Sequence, residues 1–160
     1  MATLSVGLAE IKFSRSPDDI IVAHGLGSCI GVAIYDNVAK LGGMAHIVLP
    51  NSVIQKDNNC PERFADTGIP ILISKFQLFG GKLNNAFVKI AGGANMFKFG
   101  NMTMLDIGGR NNTAVREMLT KFNINPAAID VGGTNGRTFT LHIATGKVTS
   151  RMIGMQEREI

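Results

Sequence analysis

The stretch Ile20-Ile21-Val22-Ala23-His24-Gly25-Leu26-Gly27-Ser28-Cys29-Ile30-Gly31-Val32-Ala33-Ile34-Tyr35 decides how this chain is read. Two runs rich in β-branched residues flank a glycine turn, and neither has the length or period of a helix. The pattern predicts strand, tight turn, strand, with Cys29 delivered at the start of the second strand. A third run, residues 41–49, follows Asp36-Asn37-Val38-Ala39, so 29–35 and 41–49 are expected to form a hairpin. A four-residue loop there sets Tyr35 against Lys40 and, counting back, Cys29 against His46. Directly opposed residues on one face have Cβ atoms about 4.5–5.5 Å apart, within reach for a thiol and an imidazole.

Working outward, further apolar runs bounded by glycine predict strands at 4–13, 19–24, 86–91, 127–131, 137–144 and 147–153. In the C-terminal pair, Phe139, Leu141 and Ile143 alternate inward, and Thr145-Gly146 turns the chain back. Two helices are expected. Residues 66–79 place Ile69, Leu72, Ile73, Phe76 and Phe79 on one face and stop at Gly80-Gly81. The second begins after Asn111, read as its N-cap, with Ala114, Val115, Met118, Leu119 and Phe122 on its buried face. Many strands with few helices predict an α+β sandwich in place of an alternating parallel fold.

The chain has 160 residues, 45% of them hydrophobic and 18% charged, enough for one packed core and consistent with a single domain over 1–160. The net charge of +4 is scattered without a Lys/Arg run, and the aromatic residues sit in apolar segments, which argues against a nucleic-acid surface. The N-terminus lacks a basic segment leading into a long apolar stretch, and no run is long enough to span a bilayer, so a cytoplasmic protein without membrane insertion is expected. The two cysteines, Cys29 and Cys60, lie in unlike contexts that suggest neither a disulfide nor a four-ligand zinc site, and no metal or cofactor is expected. The Asn101 and Asn111 sequons carry no meaning without export.

The glycines before Cys29 leave backbone amides of Gly27, Ser28 and Cys29 free to meet a carbonyl oxygen, an arrangement suited to an oxyanion hole. A histidine across the hairpin can take the thiol proton, and thiolate with imidazolium is the usual form of an activated cysteine nucleophile. Gly31, Ala33 and Gly42 share this face and leave room for a substrate side chain. A dinucleotide-binding turn at Gly25-x-Gly27 is disfavoured because a strand, not a helix, follows it. Cys60 reads as a thiol of a polar surface loop that could form a lid over the site, His24 as structural and His142 as solvated surface, Asp66 and Thr67 as a helix cap, and Arg110 and Arg137 as surface charges.

Gly25-Leu26-Gly27-Ser28-Cys29 followed by Met44-Ala45-His46-Ile47-Val48-Leu49-Pro50 resembles the chemoreceptor glutamine deamidase family, CheD. Further similar blocks run almost end to end: Arg63-Phe64-Ala65-Asp66-Thr67, Lys89 to Phe97, Asp106 to Asn111, and Asp130-Val131-Gly132-Gly133 with Gly136-Arg137. The resemblance implies an α/β/β/α sandwich with mixed sheets, similar to the catalytic domain of the cytotoxic necrotising factor toxins. It implies a protein-glutamine glutaminase that converts glutamine to glutamate on the cytoplasmic helices of methyl-accepting chemotaxis receptors through a Cys29–His46 pair, in some members with receptor methyl-ester hydrolysis. It also implies binding to the phosphatase CheC. One departure stands out: the family's third catalytic residue, a threonine six positions before the cysteine, is Ala23 here. A main-chain carbonyl can orient an imidazole in its place; without one, Ala23→Thr would raise kcat. The rival reading is a catalytically impaired adaptor that binds receptors and CheC.

Overall fold

The computed structural model describes residues 2–54, 59–95 and 106–160. Its strands are β1 (Thr3–Ser5), β2 (Ile11–Ser14), β3 (Ile20–Leu26), β4 (Ile30–Asp36), β5 (Leu41–Ile47), β6 (Ala86–Gly92), β7 (Ala128–Val131), β8 (Arg137–His142), β9 (Val148–Met152) and β10 (Arg158–Glu159). Two helices, α1 (Ala65–Leu78) and α2 (Ile107–Lys121), complete the set of longer elements. The strands form two five-stranded sheets, ordered β1-β3-β8-β9-β10 and β2-β5-β4-β6-β7. Each sheet is mixed, with one parallel pair, β1 with β3 and β6 with β7. The expected α+β sandwich of mixed sheets is therefore the fold.

Strand alternation explains how the layers hold together. Ile30, Val32 and Ile34 of β4 and Ala45 and Ile47 of β5 face Ile69, Leu72, Phe76, Val115 and Leu119 of the two helices. The alternate residues Cys29, Ala33, Tyr35 and Met44 face Ile21, Ala23, Leu26, Phe139 and Leu141 of the other sheet. Among the described residues both helices thus cover the same sheet. Among the described residues the layers run sheet, sheet, helices, with β4 and β5 apolar on both faces.

Most expected strands appear within two residues of their predicted bounds, and Phe139, Leu141 and Ile143 are fully buried. The run 4–13 is not one strand. It breaks between β1 and β2, which join different sheets, at a turn closed by Glu10 N donating to Gly7 O at 3.1 Å with Ala9 in the left-handed region (φ 61°). Arg137 is not a surface charge. It is buried, donates to Asp130 O at 2.7 Å and lies 3.3 Å from the Asp130 carboxylate, tying β8 of one sheet to β7 of the other. Asp66 and Thr67 do not cap α1, whose N-cap is Phe64. Asp66 accepts from Ser52 N and Oγ at 3.0 and 2.7 Å, and Thr67 Oγ1 donates to Pro61 O at 2.5 Å, so both pin the loop leaving β5. The loop residues 55–58 and the Asn101 sequon lie outside the described residues.

Candidate active site

The hairpin β4–β5 forms, but in a different register. Asp36 pairs with Leu41 and Gly31 with His46, so Cys29 stands one residue before the ladder and diagonal to His46, not opposite it. The reason is in the turn. Asp36 Oδ1 accepts from Val38 N and Ala39 N at 2.8 Å each, and Lys40 takes a left-handed conformation (φ 53°), moving the loop to Asn37–Lys40. The shift preserves face: Cys29, Gly31, Ala33 and Tyr35 still share a side with Gly42, Met44 and His46. Diagonal neighbours lie about 7–8 Å apart in a regular ladder, a gap that long side chains cross. Gly31 opposite His46 is required by packing, since a Cβ there would sit 2.8 Å from the Phe139 ring and 3.0 Å from Leu26.

The cysteine turn is held by its carbonyls. Ala94 N donates to Gly27 O at 2.8 Å, Asn111 Nδ2 to Ser28 O at 2.9 Å, and Gly93 N to Cys29 O at 2.8 Å. With three successive carbonyls engaged from the side of β6 and α2, the turn is rigid. Gly92 (φ 118°) and Gly93 (φ 64°) make this approach feasible, because a side chain at Gly92 would collide with Cys29 O. Upstream, a register shift between Ala23 and Leu26 marks a bulge in β3 as the chain enters the turn.

His46 is buried, and its Nδ1 pairs with Val6 O at 2.9 Å. A carbonyl only accepts, so Nδ1 carries the proton and Nε2 presents a lone pair. That Nε2 is buried and has no partner among the described residues. Val6 belongs to the strap between β1 and β2. Val6 N donates to Val22 O at 2.8 Å, Ala9 N to His46 O at 3.1 Å and His46 N to Glu10 O at 3.1 Å, so the strap is tied to β3 and to both sides of His46.

Burial pushes the Cys29 thiol up, with its own backbone amide pulling the other way. Burial likewise pushes the His46 imidazole down, against the Val6 carbonyl and the Glu10 carboxylate, which pull it up. Both shifts favour the neutral forms, a thiol at Cys29 and an uncharged imidazole at His46.

Ala23 is fully buried and faces the inter-sheet core. The acceptor that His46 Nδ1 meets is the Val6 carbonyl, on a residue anchored on Val22 next to Ala23. Ala23→Thr is therefore expected to leave kcat unchanged and to lower stability by about 1–3 kcal/mol through overpacking. Thermal melting and steady-state rates check both halves. His24 is exposed on the bulge and His142 half-buried on β8, and neither has a part in this arrangement. Cys60 is half-buried beside the strap, its Sγ 3.9 Å from Ala9 O and 3.6 Å from Glu62 Oε2.

Sequence reasoning missed two contributors. Val6 was assigned to a continuous strand. Asn111 is expected as a helix cap, yet α2 starts five residues earlier than expected, behind the Asp106 cap, whose Oδ1 accepts from Gly109 N at 2.9 Å. The signal for Asn111 was its spacing: it stands four and eight residues before the buried Val115 and Leu119, on the face that packs inward. No group of three His, Cys, Asp or Glu side chains placed to hold a metal occurs among the described residues. No described helix is long and apolar enough to cross a membrane.

The family described as CheD chemotactic sensory transduction matches residues 48–152, a span that begins just after His46. Full-length relatives cover the remainder. A protein of Clostridium botulinum strain Hall, named probable chemoreceptor glutamine deamidase CheD, is 43% identical over 158 residues, 98% of this chain and 97% of its own. The protein of the same name from Clostridium acetobutylicum is 44% identical over 158 residues, 98% of this chain and 95% of its own. With a family match over most of its length and relatives this similar from end to end, the chain belongs to the CheD family of chemotaxis proteins.

Proposed function

We propose that the protein is a protein-glutamine glutaminase that deamidates glutamine side chains on the cytoplasmic helices of methyl-accepting chemotaxis receptors, with Cys29 as nucleophile and His46 as base. The observation that carries this reading is the state of His46: Nδ1 is fixed by Val6 O, and the lone pair at Nε2 is uncommitted on the face shared with Cys29. The names of the relatives supply the substrate class.

In the first half-reaction His46 Nε2 takes the thiol proton as Cys29 sulfur bonds to the carboxamide carbon, while amides of Gly27, Ser28 and Cys29 receive the developing oxyanion. The C–N bond then breaks, the His46 proton leaves with ammonia, and a thioester remains. Water, deprotonated by His46, adds to the thioester; the C–S bond breaks, glutamate is released and the thiol is restored. A glutamyl methyl ester enters the same thioester with methanol as the leaving group, so esterase activity belongs to the proposal. CheC, the partner implied by the family, completes it as a regulator that competes with receptors.

Purified receptor incubated with the protein is expected to release ammonia and gain about 1 Da for each converted glutamine, located by peptide mapping. Methylated receptor should release methanol. A receptor that binds the protein yet gains no mass would leave an adaptor and end the hydrolase reading.

A further inference from the structure

Asn111 lies on α2 and is fully buried. Its Nδ2 donates to two main-chain carbonyls at 2.9 Å each, Ser28 O and Val48 O. Ser28 immediately precedes Cys29, and Val48 lies two residues beyond His46. The β4–β5 ladder ends at Ile30 paired with Ile47, so these carbonyls belong to the two chains just where they part. Past that point each chain has other partners: Cys29 O accepts from Gly93 N, and Val48 N donates to Arg63 O at 2.9 Å. One side-chain amide therefore spans a fork, one prong carrying Cys29 and the other leading back to His46.

The amide can sit only one way, since a flip would set Oδ1 against two carbonyl oxygens. In the observed orientation Oδ1 is buried without a partner among the described residues. Stability thus gains two hydrogen bonds and loses the hydration of one acceptor, a near balance. What the amide adds without any offset is a fixed width for the fork.

We propose that Asn111 is a positioning residue of this site, its amide fixing the separation of the Ser28–Cys29 turn from the His46–Val48 strand end and, through it, the distance from thiol to imidazole. The inference rests on the Cys29–His46 reading above but not on the identity of the substrate. Proton transfer between heavy atoms fails steeply with distance, and a misplacement of about 1 Å can cost about 10²-fold in rate.

The test needs no receptor. In a Cys60→Ser background, the rate of Cys29 alkylation by iodoacetamide is followed against pH by peptide mass spectrometry. The parent should show an inflection at the His46 titration that His46→Ala removes. Asn111→Leu, which has no donor, should slow Cys29 alkylation at pH 7 by at least about tenfold and flatten the inflection while the protein melts as a folded domain. Asn111→Ser reaches one carbonyl and should fall between; it carries the test if the leucine variant does not fold. With receptor, the loss should appear in kcat with KM unchanged. A folded Asn111→Leu or Asn111→Ser protein with the parent rate and pH profile overturns the proposal. A parent whose profile is indifferent to His46→Ala removes the coupled pair and this inference with it. An intact, His46-dependent profile without receptor deamidation refutes only the substrate reading.

Discussion

Cys29→Ala is expected to reduce ammonia release from receptor to background, a loss of at least about 10⁴, because no other group at the site can form the thioester. The substitution tests chemistry without much disturbing the fold. Cys29 is 9% exposed at the edge of the inter-sheet core, and exchanging a thiol for a hydrogen there removes about one methylene's worth of burial, about 1 kcal/mol. The backbone that shapes the turn is held by Ala94 N, Asn111 Nδ2 and Gly93 N, none of which depends on the sulfur. Cys60→Ser, in contrast, should retain the parental rate, since the Cys60 sulfur only grazes Ala9 O and Glu62. Melting curves and an ammonia assay on both variants decide the matter. A folded Cys29→Ala protein that still releases ammonia would remove Cys29 from the mechanism.

The parts of this molecule that sequence reveals are those specified by local pattern. Period-2 alternation put Phe139, Leu141 and Ile143 in the core, and apolar runs ending in glycine located most strands. Cys29 and His46 stay on one face of the hairpin, though not opposite each other, because the error in register was even. Had the loop moved the ladder by a single residue, His46 would have turned toward the helices, whereas the actual shift keeps both residues between the sheets. What set the register was a side chain acting on the backbone. Asp36 caps its own turn and also receives Lys82 N at 2.9 Å, a tertiary contact with no local signature.

The strap was illegible for a related reason. A left-handed alanine at position 9 and a hydrogen bond from Glu10 back to Gly7 break an otherwise plausible strand, and the gain that supports this break is non-local: the strap caps both backbone groups of His46 and supplies Val6 O to its ring. Under the proposed mechanism this carbonyl, on a residue tied to Val22, orients the imidazole, so a hydroxyl at the next residue, Ala23, has no proton left to receive there.

His46→Ala should lower kcat for ammonia release by about 10²–10⁴ at neutral pH, with receptor binding nearly unchanged, because the side chain is proposed to act in proton transfer and turns inward from the surface. The pH dependence is the more discriminating readout. Under the proposed mechanism the neutral imidazole is the working base, and burial lowers its pKa from the ordinary value of about 6.5. The base form therefore persists below pH 6.5, and the acid limb of kcat/KM should lie below that value. Without His46 the thiol must ionise unaided. Burial raises the Cys29 pKa, so the thiolate fraction at neutral pH is small and grows about tenfold per pH unit until that pKa is reached. The variant should consequently lose the parental acid limb and show a residual rate that climbs steadily toward alkaline pH. Stability should respond with the opposite economy of protons: a His46 pKa lower in the folded than in the unfolded chain means that the parent is most stable above about pH 6.5 and weakens as pH falls toward the folded value. His46→Ala removes that sag, so its melting temperature should vary less across the same window. A variant that keeps both the acid limb and the parental rate would show that another group takes the Cys29 proton, and the assignment of Nε2 as the base would be wrong.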